Sequence, residues 1–342
     1  MNPACLKVVI ITSGVSSIVR PLLESRHTIA GIVDCHCGNA GSPPMLYRLV
    51  AAGYQWMKNN PPSLESVAGK KGVPYYRPDR VSDPLLEGWI RDLRPDIIVI
   101  YYAPILGKNI FSIAPLGTIN LHPSLLPKYR GGHPLFWTAY SMETEGGVTV
   151  HVVDAGMDTG DILCQKAFPV QPGMSESAMA KLTIDHHGVR LLLKALDSVA
   201  DGVCPRIPQP EVSPTIKATR VTSERLDKLI DWNHWPIERL WSVLRFAESW
   251  QAVTPPPPGW RSKFRWAIGD YTREAAPGVP GTVSQDKHGY YLVHPEGKVR
   301  LAVRYDLKRY LKLTLLRLKD LSTACLIVIA SNKETAYPFV EF

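Results

Sequence analysis

The stretch Ile97-Ile-Val-Ile-Tyr101 is apolar or aromatic at five successive positions, and no other segment narrows the choice of fold as much. A strand with one wet face alternates apolar and polar residues. An unbroken β-branched run belongs to a strand covered on both faces, the usual condition of a parallel sheet. Similar runs recur through the first half of the chain. The sequence predicts strands over residues 7–12, 27–33, 73–76, 96–102 and 118–121, with helical stretches between them, of which 84–93 is the clearest. Strands alternating with helices argue for an α/β fold, an open, mostly parallel Rossmann-like sheet with helices on both faces. Residues 147–153 and 162–170 read as an antiparallel pair at the sheet's end. Residues 175–200 read as one long amphipathic helix capped by Ser175.

A chain of 342 residues, 45% of them apolar, suits two domains better than one. Pro205, Pro208, Pro210 and Pro214 fall within one short stretch, which reads as a stiff linker. The expected division is an α/β domain over 1–203, the Pro-rich linker over 204–220, and a C-terminal part over 221–342. That last part is helical over 223–247. It then carries short strands near 281–283, 290–293 and 299–303, the texture of a small β-barrel-like (OB-like) domain. No apolar run is long enough to span a bilayer. The apolar stretch 6–12 reads as a first buried strand rather than a leader, so a cytoplasmic location is expected. Cys5, Cys35, Cys37, Cys164, Cys204 and Cys325 include no C-x-x-C pair. Cys35-His36-Cys37 lacks the second ligand pair a zinc site needs, so reduced thiols and no metal are expected.

The segment that carries chemistry is Gly117-Thr-Ile-Asn120-Leu-His122-Pro-Ser124-Leu-Leu-Pro127-Lys-Tyr129-Arg130-Gly131. A strand ends here, and the carboxyl ends of parallel strands are where an open α/β sheet places its ligand crevice. Asn120 and His122 lie two apart, so on a strand they share a face. One offers a neutral amide donor. The other is the side chain suited to exchange a proton near neutral pH. Asp158 follows in the tight loop Asp154-Ala-Gly-Met157-Asp158-Thr-Gly160. A carboxylate there could hold the imidazole, fix its tautomer and raise its pKa. Singly these signals are weak, because N-x-H pairs and acidic turns are common.

Jointly the pattern resembles the folate-dependent formyltransferase family. That family carries N-x-H-x-S-L-L-P-x-Y/W-R-G and, some 36 residues after the histidine, the aspartate of an L-D-T-G-like loop. Here the step from His122 to Asp158 is 36 residues and the loop reads Met157-Asp158-Thr159-Gly160. Gly147-Val-Thr-Val-His151 and Gly160-Asp-Ile-Leu163 also look like the family. The resemblance is strong over residues 95–170 and weaker over 6–200. It implies an enzyme that uses 10-formyltetrahydrofolate as co-substrate and no metal, and passes its formyl group to an amine. Asn120 and His122 would stabilise the developing oxyanion, and Asp158 would orient His122 and help move protons. The backbone of Pro104, Ile105 and Leu106, with the loop of Asp154, Ala155, Gly156 and Met157, would line the pterin pocket. Tyr102, Ser124 and Arg130 would stand near the amine. His151 reads more simply as a core residue.

The acceptor is less legible. Members of the family act on methionyl-tRNA, on small amines and on nucleotide-linked amino sugars. The tRNA enzymes carry a basic loop after the second strand. The matching stretch 35–67, with a helix expected over 46–58, has only Arg48 and Lys58 in its middle, poor material for gripping phosphates. His151 also looks like the small-amine members. A nucleotide-linked amino sugar is therefore the expected acceptor, with methionyl-tRNA the alternative and hydrolysis of the folate donor a second one. The net charge of +8 leaves tRNA open. Residues 1–200 hold 18 basic against 16 acidic side chains, and 201–342 hold 21 against 15. Residues 304–319 mix basic and apolar side chains, suiting a basic amphipathic helix or simple packing. The oligomeric state stays open, with a homodimer among the options.

Overall fold

The computed structural model describes residues 5–35, 63–79, 83–250 and 264–305. The expected helix over 46–58, the mixed segment 304–319 beyond residue 305, and the apolar ending 326–330 lie outside them. Almost all the described residues belong to one compact unit; only 264–267 and 303–305 fall in a second.

The first sheet has seven strands: β1 (Lys7–Thr12), β2 (Thr28–Asp34), β3 (Tyr75–Tyr76), β4 (Ile97–Tyr101), β5 (Thr118–His122), β6 (Glu145–Val152) and β7 (Ile162–Pro169). Their order is β3-β2-β1-β4-β5-β6-β7. Pairing is parallel from β3 through β5 and antiparallel at β5–β6 and β6–β7. The strand order reverses direction between β1 and β4, which opens a crevice at the carboxyl ends of those strands. Ile97 through Val99 are wholly buried, as their unbroken apolar run demands. One face of β1, β2 and β4 packs with Leu86 and Ile90 of the helix Pro84–Leu93. Burying each such side chain contributes roughly 1.5–3 kcal/mol. That helix starts where its sequence says it must: the Asp83 carboxylate accepts from Leu85 N–H and Pro84 occupies the first turn.

Two helical expectations change. Residues 175–200 start at the expected Ser175 cap, whose hydroxyl accepts from Ala178 N–H at 3.2 Å. The run is not one regular helix, however. Glu176–Ala180 passes through a π-helical turn, Lys181–Gly188, before Val189–Ala200. Within the wider turn Ile184 and Gly188 are buried, and Gly188 comes against Leu121 and Val148 of the sheet. Residues 223–247 form two helices, Ser223–Leu229 and Ile237–Phe246. The break lies at Asp231, whose carboxylate accepts from the N–H groups of Asn233 and His234. It ends before Pro236, which cannot continue a helix.

The second sheet is antiparallel: β8 (Phe264–Thr272), β9 (Val283–Asp286), β10 (Gly289–His294) and β11 (Gly297–Tyr305), in the order β8-β11-β10-β9. It supplies the small C-terminal β module. Among the described residues no helix is long and apolar enough to cross a membrane.

Candidate active site

β5 and β6 pair so that Asn120 lies opposite His151 and His122 opposite Thr149. This register puts Asn120, His122 and His151 on one face. The Asn120 Nδ2 lies 3.1 Å from His151 Nε2. After β6 the chain turns back through Asp154–Gly160 and brings in Asp158. Its Oδ1 lies 3.4 Å from Asn120 Nδ2 and 3.5 Å from His151 Nε2. Its Oδ2 lies 3.6 Å from His122 Nδ1 and accepts from Gly131 N–H at 2.8 Å.

Both loops that meet here are conformationally demanding. Asp158 has φ of 57° and Gly131 φ of 131°, the left-handed side that L-residues avoid. At Gly131 a β-carbon would strike the Ala218 carbonyl, and at Gly160 it would strike the Val152 carbonyl. Asp154 closes its own loop by accepting from Gly156 N–H and from the Thr159 hydroxyl. The carboxylate of Asp158 is therefore placed by backbone geometry as well as by its partners.

The hydrogen bonds assign the tautomers. His122 Nε2 lies 3.2 Å from the Tyr129 carbonyl and so donates to it, leaving Nδ1 with a lone pair toward Asp158. His151 Nδ1 donates to the Val152 carbonyl at 2.8 Å, leaving Nε2 to accept from Asn120. Burial pushes the His122 pKa below the usual imidazole value, against the pull of the Asp158 charge. The expected rise does not occur, because His122 is buried and its carboxylate partner stands at 3.6 Å rather than in hydrogen-bond contact. Burial would also raise the Asp158 pKa. The neighbouring histidines and the Gly131 N–H outweigh it and hold that carboxyl at about 2. The site at neutral pH is thus a carboxylate beside a neutral imidazole with an open lone pair, an arrangement ready to take a proton.

His122, His151 and Asp158 also each present a ligand atom within 4.8 Å of the others. That clustering follows from the place of both imidazoles around the one Asp158 carboxylate.

The other expected residues are placed as follows. Tyr102 is exposed, with φ of 53°. Pro104 and Ile105 are exposed on the same loop after β4, whereas the Leu106 side chain is buried in the core. Asp154, Ala155, Gly156 and Met157 are exposed on the loop that carries Asp158. Ser124 is buried and its hydroxyl donates to the Lys128 carbonyl. Arg130 is buried, and its guanidinium donates to the Gln209 side chain and to the carbonyls of Pro210 and Glu211. The structure brings Asn120, His122 and Asp158 together and adds His151. Sequence reasoning placed His151 in the core, and it is buried there; that it also meets Asn120 depends on the β5–β6 register. The one signal for it was its place at the end of Gly147-Val-Thr-Val-His151.

The open α/β sheet thus carries, at its strand ends and the adjoining loop, an amide, two imidazoles and a carboxylate, groups able to donate hydrogen bonds and exchange a proton. The formyl transferase family matches residues 6–196, more than half of the chain. The chain is 31% identical over 273 residues to the methionyl-tRNA formyltransferase of Symbiobacterium thermophilum, covering 78% of this chain and 76% of that one. It is 32% identical over 244 residues to that of Roseiflexus castenholzii, covering 71% and 72%. In fold it is similar to the N-formyltransferase of Helicobacter canadensis, solved with folinic acid and dTDP-3-aminofucose. That likeness has a TM-score of 0.55 at 17% identity, over 88% of this chain and 100% of that one. The protein belongs to the formyl transferase family, and it is an enzyme of formyl transfer.

Proposed function

We propose that this enzyme moves a formyl group from 10-formyltetrahydrofolate to the primary amine of a nucleotide-linked amino sugar. The observation that carries the chemistry is the convergence of Asn120, His122 and Asp158, with the His122 Nδ1 lone pair open and the Asp158 carboxylate ionised. The folate co-substrate supplies an activated formyl group on a nitrogen that can leave as an amine. The loops flanking the site suit it. Tyr102, Ile105 and Met157 expose apolar surface beside backbone polar groups, a combination that reads a flat heterocycle well.

The residues then divide the work. One Asn120 Nδ2 hydrogen stays with His151 Nε2 and holds the amide in place, while the other, directed at Asp158 Oδ1 across 3.4 Å, turns to the formyl oxygen as negative charge develops on it. His122 Nδ1 accepts the proton that the attacking amine must lose and returns it to the departing nitrogen. Asp158 stabilises His122 while it is charged. Arg130 and Ser124 support the loop between β5 and the helix Pro134–Tyr140 rather than reaching for the acceptor.

His151 supports a small-amine acceptor. It puts a second imidazole beside the reacting centre, and residues 35–67 carry little positive charge with which to hold RNA. A second reading, methionyl-tRNA as acceptor, is favoured by the relatives at 31–32% identity. One assay separates them. Tetrahydrofolate formation is followed with 10-formyltetrahydrofolate and either a dTDP-linked 3-amino sugar or charged initiator tRNA. Turnover with the sugar alone is expected. Turnover with the tRNA alone sinks the sugar reading and leaves the catalytic one standing.

A further inference from the structure

The Pro-rich stretch places one side chain where it touches both loops of the site. Gln209 Nε2 donates to the carbonyl of Asp158 at 3.0 Å and to the carbonyl of Gly160 at 2.6 Å. Its Oε1 accepts from Arg130 Nε at 3.2 Å and from a terminal nitrogen of Arg130 at 2.9 Å. The orientation of the amide is fixed by chemistry, since carbonyls only accept and a guanidinium only donates. On one side Gln209 holds the backbone of Asp158, in its left-handed conformation. On the other it holds Arg130, the residue before the Gly131 N–H that binds the Asp158 carboxylate.

We infer that Gln209 is a positioning residue for catalysis: it couples the two loops so that the Asp158 carboxylate meets His122. The inference rests on Asp158 acting as proposed above. The surrounding segment has the rigidity the role requires. The Ser213 hydroxyl donates to the Pro127 carbonyl and Thr215 Oγ1 accepts from Tyr129 N–H. Ala218 exchanges backbone bonds with Arg130 and His133. Pro210 and Glu211 give their carbonyls to Arg130, so the guanidinium is bound from three sides. Only a side chain that donates twice and accepts at once, at this length, satisfies both loops. Glutamate keeps the Arg130 side and loses both donors to the Asp158 loop. Asparagine is one carbon short.

This difference makes the test. In Gln209→Glu the charged pair with Arg130 keeps the protein folded, while two carbonyls facing a carboxylate push the Asp158 loop away. The melting temperature is expected within a few degrees of the parent. The kcat with 10-formyltetrahydrofolate and the dTDP-linked 3-amino sugar is expected to fall on the order of 10- to 100-fold, the usual consequence of a displaced catalytic group. The KM for the amine should move much less. Histidine NMR gives a readout that needs no acceptor. If Asp158 swings away, His122 loses the charge that opposes its burial, and its pKa drops further in Gln209→Glu, as it does in Asp158→Asn. Gln209→Met, which holds neither loop, provides a second variant with the same expected direction. Parental kcat and an unmoved His122 titration in a folded Gln209 variant overturn the inference. Full transfer by Asp158→Asn overturns instead the assignment of Asp158.

Discussion

The two halves of the site are held by different forces. Asn120, His122 and His151 stand on β5 and β6, where strand register places them and buried neighbours lock them. Thr149, across from His122, is wholly buried. Its hydroxyl donates to the Ser124 carbonyl and accepts from Leu126 N–H and Gln165 Nε2. Asp158 stands on a loop with no strand partner of its own. It is held by a left-handed backbone, by Gly131 N–H and by Gln209. The lesson is that, the reacting groups themselves apart, damage to what supports the first half should be felt mainly as lost stability, whereas damage to what supports the second should be felt mainly as lost rate.

Removing the reacting groups tests the shared centre first. His122→Ala or Asp158→Asn should lower kcat by about 10³-fold or more with folding retained. Near-normal transfer by either variant sinks the proposed chemistry. The loop half is tested next by Gly160→Ala, which drives a β-carbon into the Val152 carbonyl. Transfer should fall by about 10²-fold, with a loss of about 1–3 kcal/mol in chemical denaturation. Full activity there would show that the Asp158 loop tolerates displacement. His151→Phe removes the acceptor for the Asn120 amide and should lower kcat about 10-fold. A rate equal to the parent's would return His151 to a packing role.

The pH profile separates the two acids. His122 titrates below the ordinary imidazole value, so kcat/KM should stay level through pH 6.5 and fall only on further acidification, as the imidazole takes a proton. Asp158 remains ionised down to about pH 2 and cannot cause that fall. The sign for stability agrees. Holding His122 neutral in the fold costs nothing above its unfolded pKa, and its contribution is lost as pH drops below that value. An acid limb centred above pH 6.5 would contradict the burial argument. The smallest effect on rate is expected from the strand half. Thr149→Val strands three polar partners, costing about 1–3 kcal/mol of stability, while kcat should stay close to the parent's. A large kcat loss in a folded Thr149→Val protein would erase the contrast between the halves.

The parts of the fold that could be read from the sequence are those set by local pattern. β1 and β4 carry unbroken apolar runs, residues 8–11 and 97–100, and a buried parallel strand leaves little other choice. Asp83-Pro84 and Ser175 announce helix starts through chemistry that operates within one turn. What could not be read depends on partners far along the chain. Whether His151 faces Asn120 is a matter of β5–β6 register, and one residue of slip would turn it to the other face. The break at Asp231 depends on an aspartate closing a turn just before Pro236. The stretch around Gln209 looks like a spacer because its prolines exclude helix and sheet. Its bonds run from side chains to carbonyls some 50 to 86 residues away, and no local pattern encodes them. The sequence also named Arg130 without showing its commitment to this stretch.

That commitment bears on how such an enzyme can be cut and recombined. A fragment ending at Gly202 would retain every residue of the seven-stranded sheet and still leave the Arg130 guanidinium and the Asp158 and Gly160 carbonyls without their counterparts. The natural seam for exchanging acceptor-binding parts between relatives therefore lies beyond Ala218. A chimera joined there would inherit its catalytic alignment intact, while one joined at residue 203 would have to import a foreign glutamine into a mould shaped around this one.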